Sequence, residues 1–298
     1  MRPAFSVILL TTLIGAGQGL FLALVTIEIL FTAGKGFFVV GAALSLLLLA
    51  AGLTASFFHL GHPERAWRSA AKWRTSWLSR EVIVLPAFMA VVFAWGAAHA
   101  MGWPTLALAA CGVVLALALF VCTAMIYACL RFLQEWHSPL TVVNYLVLGC
   151  ASGFTLAAAY AAWMGSELAR PLVAGALGWT LLGFATRVAS LVRNRRLKAR
   201  SSVQSAIGVK HPRIAQKSQG AIAGSFNTRE FFHGRTAGAL RTVKWAFLIA
   251  AFVAPAALLL AGWPGPAFIV QYAGLIAERW FFFAQANHPQ NLYYQAVS

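Results

Sequence analysis

The side chains best suited to chemistry gather at the ends of long apolar runs. His59 and His62 close the second run, and Arg80 and Glu81 open the third, so all four return to one depth of a bilayer. Glu278 and Arg279 lie inside the last run, and His288 follows it in Ala-Asn-His-Pro-Gln-Asn. Ionisable groups at membrane depth are costly and mark functional sites by default. A histidine and a carboxylate in such a place pass protons near neutral pH once burial and neighbours tune them. Arg80, Arg65 or Arg279 would hold an oxyanion or keep a glutamate ionised. The pattern predicts one polar pocket that opens at a single end of a helix bundle.

Each of these groups also has a plainer role. Glu81 suits an acid at a helix N-terminus, favoured by the dipole, with Ser79 as the cap. His59 suits an interfacial histidine bonded to backbone, and His62-Pro63 and His288-Pro289 suit helix ends. Glu278 and Arg279 are chain neighbours about 100° apart on a helix, so each is expected to bridge to another helix. Glu28 is expected to pair with Lys35 at the opposite end. His59 and His99 are a membrane thickness apart, while His137 and His233 fall in loops, so no pair at matching depth is expected to hold haem. The four cysteines, Cys111, Cys122, Cys129 and Cys150, have no metal-ligand spacing, and no metal is expected in this chain. No serine or cysteine sits in an activated setting, which speaks against a covalent nucleophile.

The elements that position these groups follow from composition. The chain has 298 residues, of which 60% are hydrophobic and 10% charged, and its mean hydropathy is +0.75. Soluble domains carry about 25% charged residues, so a soluble enzyme and a disordered chain are both excluded. A span needs about 20 apolar residues. Eight runs qualify: Val7–Phe31, Phe37–Phe58, Val82–Met101, Thr105–Leu130, Leu140–Met164, Pro171–Val192, Val243–Gly262 and Pro266–Gln285. The first is too long for the core of a signal peptide. The fold class is therefore all-α, a bundle of eight transmembrane helices forming one integral membrane domain over residues 1–298. No span looks clearly broken.

Of the 23 basic residues, Arg2, Arg131 and the segments around residues 60–80 and 193–241 hold twenty, all on the side of both termini. The positive-inside rule then places both termini and both loops in the cytoplasm. The same rule accounts for the basic pI without nucleic acid. The 60–80 loop interleaves Trp with Arg and Lys, as an interfacial segment on anionic lipid would. The 193–241 loop is basic, then Ser/Gly-rich through Gly224–Gly234, and suits either solvent and lipid or an acidic cytoplasmic partner.

The stretch His59-Leu-Gly-His-Pro-Glu-Arg-Ala66, ending in Leu78-Ser-Arg-Glu81, resembles the anchor subunit family of dimethyl sulfoxide reductases. The eight-span layout and the closing Ala273-Gly-Leu-Ile-Ala-Glu-Arg279 are similar to that family as well. The resemblance implies a haem-free membrane subunit that holds a molybdopterin catalytic subunit and an iron–sulfur electron-transfer subunit at the membrane. It also implies electron exchange with a quinone, menaquinone or ubiquinone. By position, His59 and Glu81 match the family's quinone-site histidine and glutamate. Two departures stand out: the loop between spans 6 and 7 is long and basic, and the side bearing His59 and Glu81 is strongly basic, hence cytoplasmic. Both look more like the branch that anchors cytoplasmic sulfite dehydrogenases, which implies a bacterial inner membrane and electrons flowing into quinone.

On this reading His59 bonds a quinone carbonyl, Glu81 relays a proton, and Arg80 or Arg65 tunes Glu81. Gly15, Gly17 and Gly19 would leave a gap between helices for the isoprenoid tail. Three alternatives remain: an anchor that oxidises quinol, a purely structural anchor through which no electrons pass, and a small-anion transporter using Arg279 and the basic face.

Overall fold

The computed structural model describes residues 1–58, 60–199, 201–215 and 234–292. Its described residues form an all-helical bundle. In chain order the long helices are α1 (Phe5–Leu30), α2 (Lys35–Phe57), α3 (Trp77–Met101), α4 (Leu106–Ala128), α5 (Pro139–Trp163), α6 (Ala169–Arg195), α7 (Ala237–Leu260) and α8 (Pro264–Ala284). Seven of them, α1 to α7, are long and apolar enough to cross a membrane. The eighth has the length, but Gln271, Glu278 and Arg279 lower its apolar content, and all three are buried. Helix α7 has a π-helical turn at Ile249–Val253 followed by Pro255. It is thus widened locally where an unbroken span is expected from the sequence.

Two Gly-Trp-Pro sequences set the α3–α4 and α7–α8 turns for one physical reason. Gly102 and Gly262 take the left-handed conformation, with φ of 73° and 81°. The next N–H, of Trp103 or Trp263, then reaches back to the carbonyl of Ala98 or Leu258. This closes the helix, and the proline cannot extend it.

Helices α1 and α5 are the centre of the bundle. In each, 72% of the most apolar stretch is buried, against 28–39% in the other five spans. They cross through glycine: a Cβ built on Gly19 would strike the Gly149 carbonyl, and one on Gly153 would strike the Gly19 backbone. Gly17 meets Ser45 and Leu49 of α2 instead. Of the glycines expected to leave a slot for a tail, Gly19 is a closed contact between backbones, as in other small-residue crossings, and Gly17 is filled by Leu49, while Gly15 has only an ordinary contact with Gly149 and lines a small cavity. Gly153→Ala is expected to reach the upper end of the roughly 1–3 kcal/mol that overpacking costs. Gly178→Ala, where the added methyl meets open space, should gain up to about 1 kcal/mol from helix propensity. Thermal unfolding of the two variants in detergent checks the contrast.

Polar side chains fasten the bundle from within. Ser45 donates to the Gly17 carbonyl at 2.8 Å, Gln18 to Ala116 at 2.8 Å, and Tyr160 to Phe37 at 2.9 Å. Trp136 donates to the Phe282 carbonyl at 2.9 Å, tying the α4–α5 turn to α8. The 60–80 segment forms a 3-10 helix, Pro63–Lys72, with Trp67 and the following Trp73 exposed. Arg68, Arg74 and Arg80 each lie over a tryptophan ring, at 5.5, 5.4 and 4.1 Å. The long loop is a little shorter than its sequence bounds, since α6 runs to Arg195 and α7 begins at Ala237. Its Gly224–His233 stretch lies outside the described residues.

Candidate functional site

Glu81 stands in the second turn of α3. Ser76 caps that helix, its side chain accepting from the N–H of Ser79 at 3.3 Å, and no acid occupies the first turn. Ser79 is therefore not the cap, and Glu81 is too deep for a dipole role confined to the first turn. Glu81 is 6% exposed, and its Oε1 accepts a hydrogen bond from Thr123 of α4 at 2.5 Å. Pro86, five residues on, lacks an N–H and frees the Val82 carbonyl beside it. A carboxyl buried near the end of a span, with one hydroxyl partner, has the setting a proton-transfer group needs.

The other expected members of that pocket sit elsewhere. Arg80 turns away from Glu81: its guanidinium donates to the carbonyls of Trp73 and Arg74 at 2.9 and 2.8 Å while lying over Trp77. It staples the 3-10 segment to α3 and does not tune the carboxyl. Arg65 is exposed and 3.6 Å from Glu64. His62 is exposed too, 3.0 Å from the same glutamate. His59 lies outside the described residues.

A second buried group joins α6 to α8. Glu278 of α8 meets Arg187 of α6 at 2.7 Å, an ion pair whose approach is off the line of a hydrogen bond. Arg279 stands 3.9 Å from Glu278 and stacks on the Tyr145 ring at 3.8 Å. All three ionisable side chains are at most 5% exposed. Glu278 bridges between helices as its position suggested. Its partner Arg187 was missed because, in the sequence, it reads as one more cation at the inner end of a span. Next to it Asn144 donates to Ser190 at 2.7 Å, and Gln271 to Thr180 at 2.9 Å.

His288 is in neither group. It meets Phe132 edge-on at 5.4 Å, near the chain start, where the Met1 amine donates to the Ala286 carbonyl at 2.7 Å. Burial pushes that amine down to about 6, against the pull of Glu135. Burial and the nearby ammonium push His288 below the usual imidazole range. Near neutral pH this corner therefore adds little charge.

At the opposite end Glu28 does not pair with Lys35. Its carboxylate accepts from the Trp95 indole at 3.0 Å and from the Thr105 hydroxyl, and lies 3.2 Å from His99. His99 stacks on Phe38 at 4.3 Å. This cluster ties α1 to α2, α3 and the start of α4. The sequence could not reveal it, because Glu28 and His99 are far apart in the chain.

Known proteins resemble this chain in sequence. Residues 1–210 match the family model described as DMSO reductase anchor subunit (DmsC). The chain is also 55% identical over 325 aligned positions, spanning all of both proteins, to the C subunit of the sulfite dehydrogenase from Allochromatium vinosum. Seven helices able to span a bilayer and a match over more than half the sequence place this multi-pass membrane protein in the DMSO reductase anchor subunit family.

Proposed function

We propose that this chain is the membrane anchor and quinone-reactive subunit of a molybdopterin/iron–sulfur oxidoreductase that oxidises sulfite and reduces quinone. Full-length similarity to the C subunit of a sulfite dehydrogenase supports the donor. The observation that carries the quinone role is Glu81, a carboxyl buried at the inner end of α3 with its proton partner Thr123 in place.

The residues fit a quinone in kind. A quinone headgroup is a flat apolar ring that needs a polar donor at its carbonyls, and its reduction consumes protons together with electrons. Glu81 offers an exchangeable proton, and Phe57 and Phe58 at the end of α2 offer exposed apolar surface. His59 would hold the second polar contact. The closed α1–α5 crossing directs the tail elsewhere, toward the lipid-facing surface. Thr123 orients the Glu81 carboxyl, and the packed bundle keeps bulk water from it.

In this reading α8 is the eighth span, both termini face the cytoplasm of a bacterium, and the chain lies in its inner membrane. The 3-10 helix with Arg65, Arg68 and Lys72 then lies against lipid headgroups and the iron–sulfur subunit, near Glu81. The test is purification of the tagged protein from its native membrane in mild detergent. Two soluble subunits, molybdenum and iron should copurify, and the complex should reduce quinone when given sulfite. A lone, metal-free chain that keeps its fold would overturn the proposal.

A further inference from the structure

Two small cavities lie between Glu135 and Arg193 at one end and Thr123, the hydroxyl partner of Glu81, at the other. The first, about 10 Å³, is lined by Asn144, Tyr145, Arg187, Ser190, Glu278 and Arg279 and opens toward Glu135 and Arg193. The second, about 20 Å³, is lined by Thr12, Gln18, Thr123, Tyr145, Ser152 and Arg279. Tyr145 and Arg279 form the wall they share. Thr123, at the far side of the second, is the residue that donates to Glu81.

The first cavity is lined mainly by polar side chains, the second by polar groups mixed with Ile14, Phe120, Leu148 and Leu275, and each has about the room one water needs. At the first cavity Asn144 Oδ1, Glu278 Oε2, Tyr145 Oη, Arg187 Nε and Nη2 and Arg279 Nε are buried without hydrogen-bond partners, and Tyr145 and Arg279 also face the second. Two are acceptors, three are donors, and the tyrosine hydroxyl is either. A bound anion would satisfy only the donors and a bound cation only the acceptors, whereas water satisfies both. Buried ionisable residues in membrane helices commonly mark such relays.

We propose that these cavities form a hydrated route carrying protons from the cytoplasmic surface at Glu135 and Arg193, past Arg279 and Tyr145, to Thr123 and Glu81. The route deepens the reading of Glu81 as the proton donor to quinone and rests on it. Each quinone reduced takes two electrons, which the iron–sulfur partner supplies, and two protons, which arrive from the cytoplasm. Two guanidiniums against one carboxylate leave the route with a surplus positive charge. That charge keeps protons out at rest, and negative charge arriving at the quinone draws them in. Proton entry is thereby tied to electron arrival.

The experiment uses the whole complex in lipid nanodiscs. After transfer to D₂O, infrared spectroscopy follows deuterium exchange of the Glu81 carboxyl band, identified by its loss in Glu81→Gln. Ser152→Val fills the second cavity without touching a charge, and Glu278→Gln removes the buried carboxylate of the first. Exchange should slow about tenfold or more in both, and quinone turnover should lose kcat while KM for quinone is unchanged. If Glu278→Gln does not assemble, Ser152→Val alone decides. Exchange as fast in Ser152→Val as in the unaltered complex overturns the route, as does the absence of any Glu81 carboxyl band. An unaltered complex that fails to reduce quinone overturns the quinone reading instead, and the exchange rates still report on the route.

Discussion

Glu81→Gln is expected to lower quinone reduction by the intact complex by about 10²–10⁴-fold, the range supplied by a positioned general acid or base. Glutamine keeps the shape and can still accept from Thr123, so the helix packing around it is preserved. What it loses is the exchangeable proton. Sulfite oxidation with a soluble artificial acceptor, which bypasses the membrane, should be unchanged, and so should the yield of assembled complex. Thr123→Val should give a smaller loss, because it removes the partner that orients the carboxyl and leaves the carboxyl itself. Arg80→Gln provides the contrast. Its guanidinium is bonded to the Trp73 and Arg74 carbonyls, so its loss should loosen the 3-10 segment and barely change kcat. Equal turnover by Glu81→Gln and the unaltered complex would place the quinone site elsewhere.

The helices themselves were legible because the signals that place them are local. Long apolar runs need only counting, and Gly-Trp-Pro ends a helix whatever surrounds it. The rotation of each helix was not legible. In a span that is apolar all round, periodicity does not say which face meets a neighbour. Gly19 therefore suggests a slot, when its backbone is closed against Gly149 and Gly153. Partners far apart in the chain were equally hidden. Glu28 was assigned to nearby Lys35 but is held by Trp95, Thr105 and His99. Arg80 and Glu81, adjacent in sequence, diverge because neighbours on a helix point about 100° apart. What the sequence did reveal was the cost of burial: Glu81, Glu278 and Arg279 stood out as charges in apolar runs, and all three are buried.

The buried ion cluster makes a charge-dependent prediction about stability. Removing one partner of a buried pair typically costs about 3–5 kcal/mol, because the other is left uncompensated. Here the two single losses are unequal. Glu278→Leu leaves Arg187 and Arg279 together with no carboxylate between them, so the surplus rises from one positive charge to two. Arg187→Met leaves Glu278 with Arg279, already 3.9 Å away, and the cluster becomes neutral. Glu278→Leu should therefore cost the full amount, and Arg187→Met markedly less. The double variant returns to a single surplus charge and should be more stable than the sum of the single losses implies. The cluster is buried among Tyr145, Phe247 and Phe282, whose rings face the guanidiniums, so salt should screen the effect little. Unfolding of the four proteins in detergent, at low and high ionic strength, measures this. Additive single losses would mean that Arg187 and Glu278 do not act as a pair. Equal single losses would mean that water within the cavity already screens the surplus charge.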